Sequence, residues 1–431
     1  MIRNKAVKNA AWIIGCKIVQ ALLGLLITMF SARYLGPSGY GVINYAASIV
    51  AFFVPVMQLG LNATLVREIL DYPDKEGETL GTALIMNFTS GIACIIGTVT
   101  FSYFANAGET VTIIVCALYS LLLIFQALEM IQFWFQAKLM SKYTSIVMLI
   151  SYAIVSVYKI ILLITESHIY WFAISQAVDF FIIALSLLVI YKKVGTQRLS
   201  FSFKRARDMF SRSKHYILSG MMVTVFAETD KIMLKMMLGE SAVGYYSAAA
   251  TCTAMTTFVF VAIIDSSRPS ILEGKNESQE IFENRLKLLY SIIIFLALAQ
   301  SVFITIFAKP IVSILYGAQY APTVNILRIL VWYTTFSYIG SVKDIWILAK
   351  DKESLLWIIN LAGAITNIVL NAILIPILGA NGAAIASLVT QFITNVVITY
   401  IIRPIRPNSR IMIQSLNPKC LISAIKRMLK K

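Results

Sequence analysis

Long apolar segments alternate with short polar ones along nearly the whole chain. An apolar helix of about 20 residues is long enough to cross the hydrocarbon core of a bilayer. The pattern predicts about twelve such helices, with short connections between most of them. They cover residues 10–32, 41–62, 81–104, 111–132, 144–164, 169–190, 216–238, 242–264, 287–308, 323–349, 354–376 and 382–402. The fold class predicted from this pattern is all-α and integral to the membrane.

The composition supports this class and argues against a soluble enzyme. Of the 431 residues, 58% are hydrophobic and only 13% are charged, whereas soluble domains carry about 25% charged residues. So few charged side chains would not cover the surface of two or three soluble domains. A polytopic membrane protein tolerates this balance because lipid surrounds its apolar exterior.

The net charge of +16 is explained by topology. If both termini are cytoplasmic, 29 of the 37 Lys and Arg residues fall in cytoplasmic segments. Cytoplasmic loops of membrane proteins carry such an excess of basic residues. The charge therefore predicts an even number of spans with both termini inside the cell, and it requires no nucleic acid as a partner.

A basic segment divides the twelve predicted spans into two sets of six. The predicted parts are an N-terminal lobe (1–190), a basic cytoplasmic linker (191–215), a C-terminal lobe (216–402) and a basic cytoplasmic tail (403–431). The string from Leu35 to Gly41 recurs from Leu238 to Gly244, after the first span of each lobe. Both copies begin on the same side of the membrane, so the repeat is parallel, an architecture known from transporters. In the tail, apolar and basic residues separate at helical spacing, which suits either a helix on anionic membrane lipid or a segment that only sets topology.

Several strings resemble those of bacterial polysaccharide-repeat flippases of the O-antigen and capsule type, in the multidrug/oligosaccharidyl-lipid/polysaccharide exporter superfamily. The first is Arg33-Tyr34-Leu35-Gly36-Pro37 followed by Tyr40-Gly41. The second, Asp230 to Leu234, leads to Gly244-Tyr245-Tyr246-Ser247. Further strings, in the expected order, are Leu315-Tyr316-Gly317, then Asn367, Leu370-Asn371, Leu374-Ile375-Pro376 and Gly382-Ala383-Ala384.

The resemblance implies twelve helices in two six-helix lobes in the bacterial cytoplasmic membrane. It also implies alternating access that moves an undecaprenyl-diphosphate-linked oligosaccharide to the outer leaflet, together with a polymerase and glycosyltransferases of the same pathway. The family transports its substrate and makes or breaks no bonds in it. The residues that match its motifs are expected to be structural: Arg33, Gly36, Pro37, Gly41, Gly244, Asn371, Pro376 and Gly382.

Charged side chains within the predicted spans are the candidate functional residues, because burying each at membrane depth costs about 2.5–3.5 kcal/mol. The candidates for a substrate cavity that attracts diphosphate and acidic sugars are Lys17, Gln20, Lys159, Lys231 and Arg328. The candidates for charge balance, or for coupling to H⁺ or Na⁺, are Glu129, Asp179, Glu228 and Asp230. Glu228 and Lys231 could also neutralise each other, and we expect Lys235 and Lys343 to extend to the membrane interface.

Two rival functions remain at this stage. A cation-coupled multidrug antiporter would share the fold and would use a carboxylate such as Asp179 or Asp230. A membrane glycosyltransferase or polysaccharide polymerase would need a large outward catalytic loop, but the longest predicted one is only 309–322. With two histidines and no Cys-x-x-Cys motif, neither a metal centre nor a cofactor is expected.

Overall fold

The computed structural model describes the backbone of residues 2–417 and the side chains of residues 20 and 23–417. Within these residues every regular element is helical, which confirms the all-α prediction. In chain order the α-helices are α1 (Ile2–Met57), α2 (Leu65–Asp71), α3 (Glu76–Ala105), α4 (Thr110–Ser120), α5 (Leu122–Glu129), α6 (Gln132–Ala137), α7 (Ser141–Ile164), α8 (Ile169–Val194), α9 (Phe203–Leu238), α10 (Glu240–Ala254), α11 (Thr257–Glu277), α12 (Gln279–Tyr316), α13 (Thr323–Ala349), α14 (Leu356–Leu378), α15 (Ala380–Phe392), α16 (Ile398–Ile401) and α17 (Arg406–Ser415).

All twelve predicted apolar segments fall on helical parts of the chain. By length and composition, eight helical segments among the described residues could cross a membrane, or nine if the bent pair α10 and α11 forms one span. The helices α9 and α13, which contain the seventh and tenth predicted spans, are not among these segments. Each of these two helices carries several charged residues in or next to the predicted span. The prediction of a membrane protein is thus confirmed, while the number of twelve membrane spans stays a prediction.

The two copies of the sequence repeat share an unusual backbone conformation. Gly36, within α1, has φ 67° and ψ 176°, and Gly239, between α9 and α10, has φ 88° and ψ −177°. A residue with a β-carbon rarely adopts a positive φ of this kind, so glycine serves both positions. In both copies the glycine changes the direction of the chain between two helices, which supports the internal repeat.

The chain divides into two compact units, Met1–Glu228 and Thr229–Lys431. In the first unit, three segments predicted to be cytoplasmic meet at one end. Lys138 Nζ lies 2.6 Å from a carboxylate oxygen of Glu76, and the Thr196 hydroxyl donates to Glu76 at 2.7 Å. These contacts join the segments after the second, fourth and sixth predicted spans, as expected if all three lie on one side of the membrane.

In the second unit, segments that are predicted to be cytoplasmic also contact one another. Lys275 Nζ lies 3.3 Å from a carboxylate oxygen of Asp351, and Lys350 Nζ donates to Gln279 Oε1 at 2.6 Å. The core of this unit lies among α11, α12 and α13, where the rings of Phe260 and Tyr338 stack with centroids 3.9 Å apart. Large apolar side chains exposed around both units are those expected to face lipid.

The predicted linker 191–215 is largely ordered structure packed on the first unit. Helix α9 begins inside it, at Phe203. The Gln197 side chain accepts from the backbone N–H of Gly77 at 3.0 Å and donates to the Pro73 carbonyl at 2.9 Å. The predicted tail begins as helix α17, and its amphipathic part, residues 418–431, lies outside the described residues.

Candidate functional site

A buried carboxylate in the second unit forms the most complete polar cluster at membrane depth. The Asp230 side chain is 4% exposed and accepts hydrogen bonds from four side chains. Its Oδ1 accepts from Asn371 Nδ2 at 2.6 Å and from Asn367 Nδ2 at 3.0 Å. Its Oδ2 accepts from the hydroxyls of Tyr246 and Ser387. We call these five residues the Asp230 cluster.

The helices that carry the cluster explain how it assembles. Asn367 and Asn371 are one helical turn apart on α14, so their amides stand on the same face. Ser387 lies on α15, which packs closely on α14 because Gly382 leaves room for the backbone of Leu374. Asp230 and Tyr246 come from α9 and α10. The cluster therefore ties four helices of one unit together through one carboxylate.

The cluster contains a carboxyl group without a basic partner. Among the described residues no Lys, Arg or His forms an ion pair with Asp230. The Asn371 side-chain oxygen is also buried and accepts no hydrogen bond within the described part of the chain. The amide N–H groups and the two hydroxyls all donate to the Asp230 carboxylate. A buried carboxyl group with neutral neighbours is a group that a proton or a monovalent cation would neutralise.

A second polar cluster lies in the first unit and contains charges of both signs. Asp179 Oδ1 accepts from the Ser151 hydroxyl at 2.6 Å. The half-buried Lys159 interacts electrostatically with Asp179, as does the carboxyl of Glu129, which is buried at 7% exposure. The structure thus brings together three of the predicted residues, Glu129, Lys159 and Asp179. Lys159 provides a basic side chain near Asp179, in contrast to the Asp230 cluster.

The remaining cavity candidates have different surroundings. Arg328 is exposed, and its guanidinium donates to the neighbouring Asn325 side chain at 3.5 Å. Gln20 and Lys231 are half-buried, and the Lys17 side chain lies outside the described residues. Glu228 accepts from the Ser48 hydroxyl at 2.7 Å. Gln20 and Lys159 belong to the first unit and Lys231 and Arg328 to the second, and a cavity that they share stays a prediction.

Two lysines that we expected to extend to the membrane interface are buried instead. Lys235 is 5% exposed and pairs with Glu240 at 3.0 Å, across the turn at Gly239. Lys343 is 4% exposed and donates to Asn395 Oδ1 at 2.9 Å, where α15 continues into a π-helical turn, Ile393–Val397. The prediction that they extend to the membrane interface was wrong, because each finds an oxygen partner inside the protein.

The residues that match the family motifs differ in their surroundings, and their structural role stays a prediction. Gly41, Gly244 and Gly382 are buried at helix contacts, and Gly36 and Pro37 form the break in α1. Arg33 and Pro376 are exposed near helix ends. Asn371 belongs to the Asp230 cluster and is fully buried.

Sequence reasoning missed two members of the Asp230 cluster. Tyr246 stands in the repeated string after Gly239, but nothing in its spacing indicates that its hydroxyl points at a carboxylate. Ser387 lies in a run of small residues, which is as typical of helix packing in membranes as of a site. The available signal was the pair of asparagines one turn apart in an otherwise apolar helix, since buried amides require partners.

Comparisons with known proteins agree with this architecture. A family model described as polysaccharide biosynthesis protein matches residues 6–275. A probable low-salt glycan biosynthesis flippase of Haloferax volcanii is 26% identical over 197 residues, which are 45% of this chain and 42% of that protein. The match thus spans less than half of the archaeal protein. A capsular polysaccharide biosynthesis protein of Staphylococcus aureus is 22% identical over 399 residues, which are 90% of this chain and 96% of that protein.

A solved structure extends the similarity to the whole described fold. The lipid II flippase MurJ, in an inward closed conformation, aligns with a TM-score of 0.74 and 16% sequence identity. The alignment covers 97% of this chain and 92% of that chain. At this level of identity the likeness concerns the fold.

Proposed function

Because the chain belongs to the polysaccharide biosynthesis protein family, we propose that it is a flippase that moves a lipid-linked oligosaccharide across the cytoplasmic membrane during the synthesis of a surface polysaccharide. This family membership confirms the resemblance inferred from the motifs of the first loop. The observation that carries the proposal is the similarity, over 90% of this chain, to a capsular polysaccharide biosynthesis protein. The flippase named among the shorter matches supports the same activity.

The proposed substrate is an oligosaccharide repeat unit on undecaprenyl diphosphate, and the proposed mechanism is alternating access. A diphosphate needs cations along its path, since electrostatic attraction is strong at low dielectric. Lys159, half-buried on α7, is the proposed cation in the first unit, and Lys17, Gln20, Lys231 and Arg328 stay candidates from the sequence. The proposed orientation places both termini in the cytoplasm, which agrees with the meeting of like-sided segments in each unit.

The Asp230 cluster is the proposed site of ion coupling. Its carboxylate is buried without a basic partner, whereas Asp179 has Lys159 nearby. An uncompensated buried charge is costly, and a bound Na⁺ or H⁺ would neutralise it. Asp179 and Glu129 then serve as charge balance for Lys159, and Glu228 is held by Ser48.

A genetic experiment tests the flippase. Deleting the gene should abolish display of the surface polysaccharide, and lipid-linked repeats should accumulate on the inner face of the membrane. Expression of the intact chain from a plasmid should reverse both effects. Normal display without accumulation would contradict the proposal, and a strain that instead becomes sensitive to toxic organic cations would favour the antiporter.

A further inference from the structure

The first part of α9 carries a narrow stripe of alternating aromatic and basic residues. Phe203, Arg207, Phe210 and Lys214 follow one another at intervals of four, three and four positions, which places all four on one face of the helix. All four side chains are exposed, the two phenylalanines at 78% and 41%. We call them the α9 stripe; it extends about 17 Å along the helix axis.

Contacts on the opposite face of α9 fix the direction of the stripe. Arg205 lies 3.5 Å from a carboxylate oxygen of the buried Glu68 and donates to the Thr79 hydroxyl. Met209 is 1% exposed, and the Ser213 hydroxyl donates to the Leu59 carbonyl at 2.8 Å. Because this face is packed on the first unit, the α9 stripe points away from it.

The α9 stripe lies directly before the seventh predicted membrane span. One further helical step after Lys214 brings Leu218 onto the same face, exposed at 62%, and Leu218 lies within the seventh predicted span. The stripe therefore ends where the apolar part of α9 begins. In the proposed orientation this point lies at the surface of the inner leaflet.

We propose that the α9 stripe binds the headgroups of anionic phospholipids in the inner leaflet. Aromatic rings partition to the headgroup level of a bilayer, and each Lys or Arg near an anionic surface contributes about 1 kcal/mol. Lys204 lies on the flank of the same face, and Asp208 is the single acidic residue in residues 203–214. A protein partner fits less well, because the stripe is one side chain wide, whereas a stable interface buries about 800 Å² on each partner.

Photo-crosslinking of the full chain tests this inference. Phe203 or Phe210 is replaced by p-benzoylphenylalanine, and the protein is placed in nanodiscs with equal amounts of phosphatidylglycerol and phosphatidylcholine. We expect phosphatidylglycerol to exceed phosphatidylcholine among the adducts by at least about fivefold, the factor that corresponds to about 1 kcal/mol for one basic residue. The same probe at Phe303, exposed at 57% in α12, should label both lipids equally.

Charge-neutralising variants distinguish lipid binding by the α9 stripe from a general attraction of anionic lipid to the positively charged protein. Arg207→Gln with Lys214→Gln should reduce the adduct ratio to that of the bilayer. Arg67→Gln with Lys75→Gln removes the same charge from exposed positions outside the stripe and should leave the ratio unchanged. Equal labelling in the otherwise unaltered chain, or peptide adducts instead of lipid adducts in native membranes, would overturn the proposal. The crosslinking experiment uses no transported substrate. Its result therefore tests the lipid site alone and does not depend on whether the protein is a flippase.

Discussion

Replacing Asp230 by asparagine separates a structural role of the buried carboxylate from an electrostatic one. The amide oxygen of the introduced side chain can take the place of Oδ1 and keep the hydrogen bonds from Asn367 and Asn371. Its NH₂ group can take the place of Oδ2 and donate to the hydroxyl oxygens of Tyr246 and Ser387, which can rotate to accept. Asp230→Asn therefore retains the four contacts and removes only the charge.

The structure gives the size of the expected change in stability. A hydrogen bond to a charged group contributes roughly 1 kcal/mol more than a neutral one, so four bonds lose at most about 4 kcal/mol. Removing a buried charge returns a desolvation energy of similar size. We expect a net change within about 2 kcal/mol, and a folded variant.

Thermal unfolding of the purified chain in detergent shows which ion binds, because a bound ion raises the stability of the folded protein. At constant ionic strength, Na⁺ at about 100 times its dissociation constant should stabilise the unaltered chain by about 2.7 kcal/mol relative to choline. If the ion is H⁺, stability should instead rise as the pH falls, because a proton bound only to the folded state stabilises it. Asp230→Asn should abolish either dependence and reduce polysaccharide export.

Two outcomes would refute the reasoning about Asp230. The first is an Asp230→Asn variant with the same ion-dependent stabilisation as the unaltered chain. The second is a variant that exports normally. Asp230→Ala provides the structural control, because it leaves four buried donors without an acceptor at about 1–3 kcal/mol each, and it should lower stability whether or not an ion binds.

Three further predictions concern other parts of the molecule. Lys138→Ala leaves the Glu76 carboxylate, 1% exposed, without its cation and should lower the free energy of unfolding by about 1–3 kcal/mol; Lys75→Ala, at an exposed position, should change it by less than about 0.5 kcal/mol. Gly340→Ala places a β-carbon against the Asn395 side chain and should cost about 1–3 kcal/mol in thermal unfolding; an equal cost in the Asn395→Ala background would contradict this contact. Lys17→Ala, Lys159→Ala and Arg328→Ala should each reduce export at normal protein levels, whereas Lys309→Ala, at an exposed position on the predicted outer side, should not; normal export in all three would refute the proposed cavity.

Hydropathy predicts the helices that lipid or a hydrophobic core surrounds. It does not detect a helix that packs on the protein through charged side chains. The predicted apolar segments fall on helices because twenty apolar residues leave the backbone no alternative to internal hydrogen bonds in a membrane. The start of α9 at Phe203 was missed because its packed face contains Arg205 and Ser213 together with a single apolar side chain, Met209. A helix held by an arginine and a buried glutamate has no apolar stripe for the pattern to detect.

The candidate site was predictable in part, for a related reason. Asp230 and Asn371 stand out in the sequence because polar groups within apolar spans are costly. Tyr246 and Ser387 do not stand out, since a tyrosine and a serine are common in membrane helices for packing alone. Their role depends on helices that lie 16 and 157 positions from Asp230 along the chain, and a single sequence carries no record of such contacts.

The choice of aspartate at position 230 supports the proposal that the charge of this side chain has a function. Two other buried carboxylates lie beside cations, since Glu76 pairs with Lys138, and Glu68 with Arg205 and Arg212. A third, Glu129, has Asp179 as its charged neighbour. Asp230 is buried to the same degree, yet neutral amides and hydroxyls provide all of its contacts. Asparagine could keep the same four partners, with its oxygen accepting from the two amides and its NH₂ donating to the two hydroxyls, without the desolvation cost of a carboxylate. What aspartate adds is an ionisable carboxyl group, whose negative charge a bound Na⁺ or H⁺ would neutralise in the proposed ion coupling.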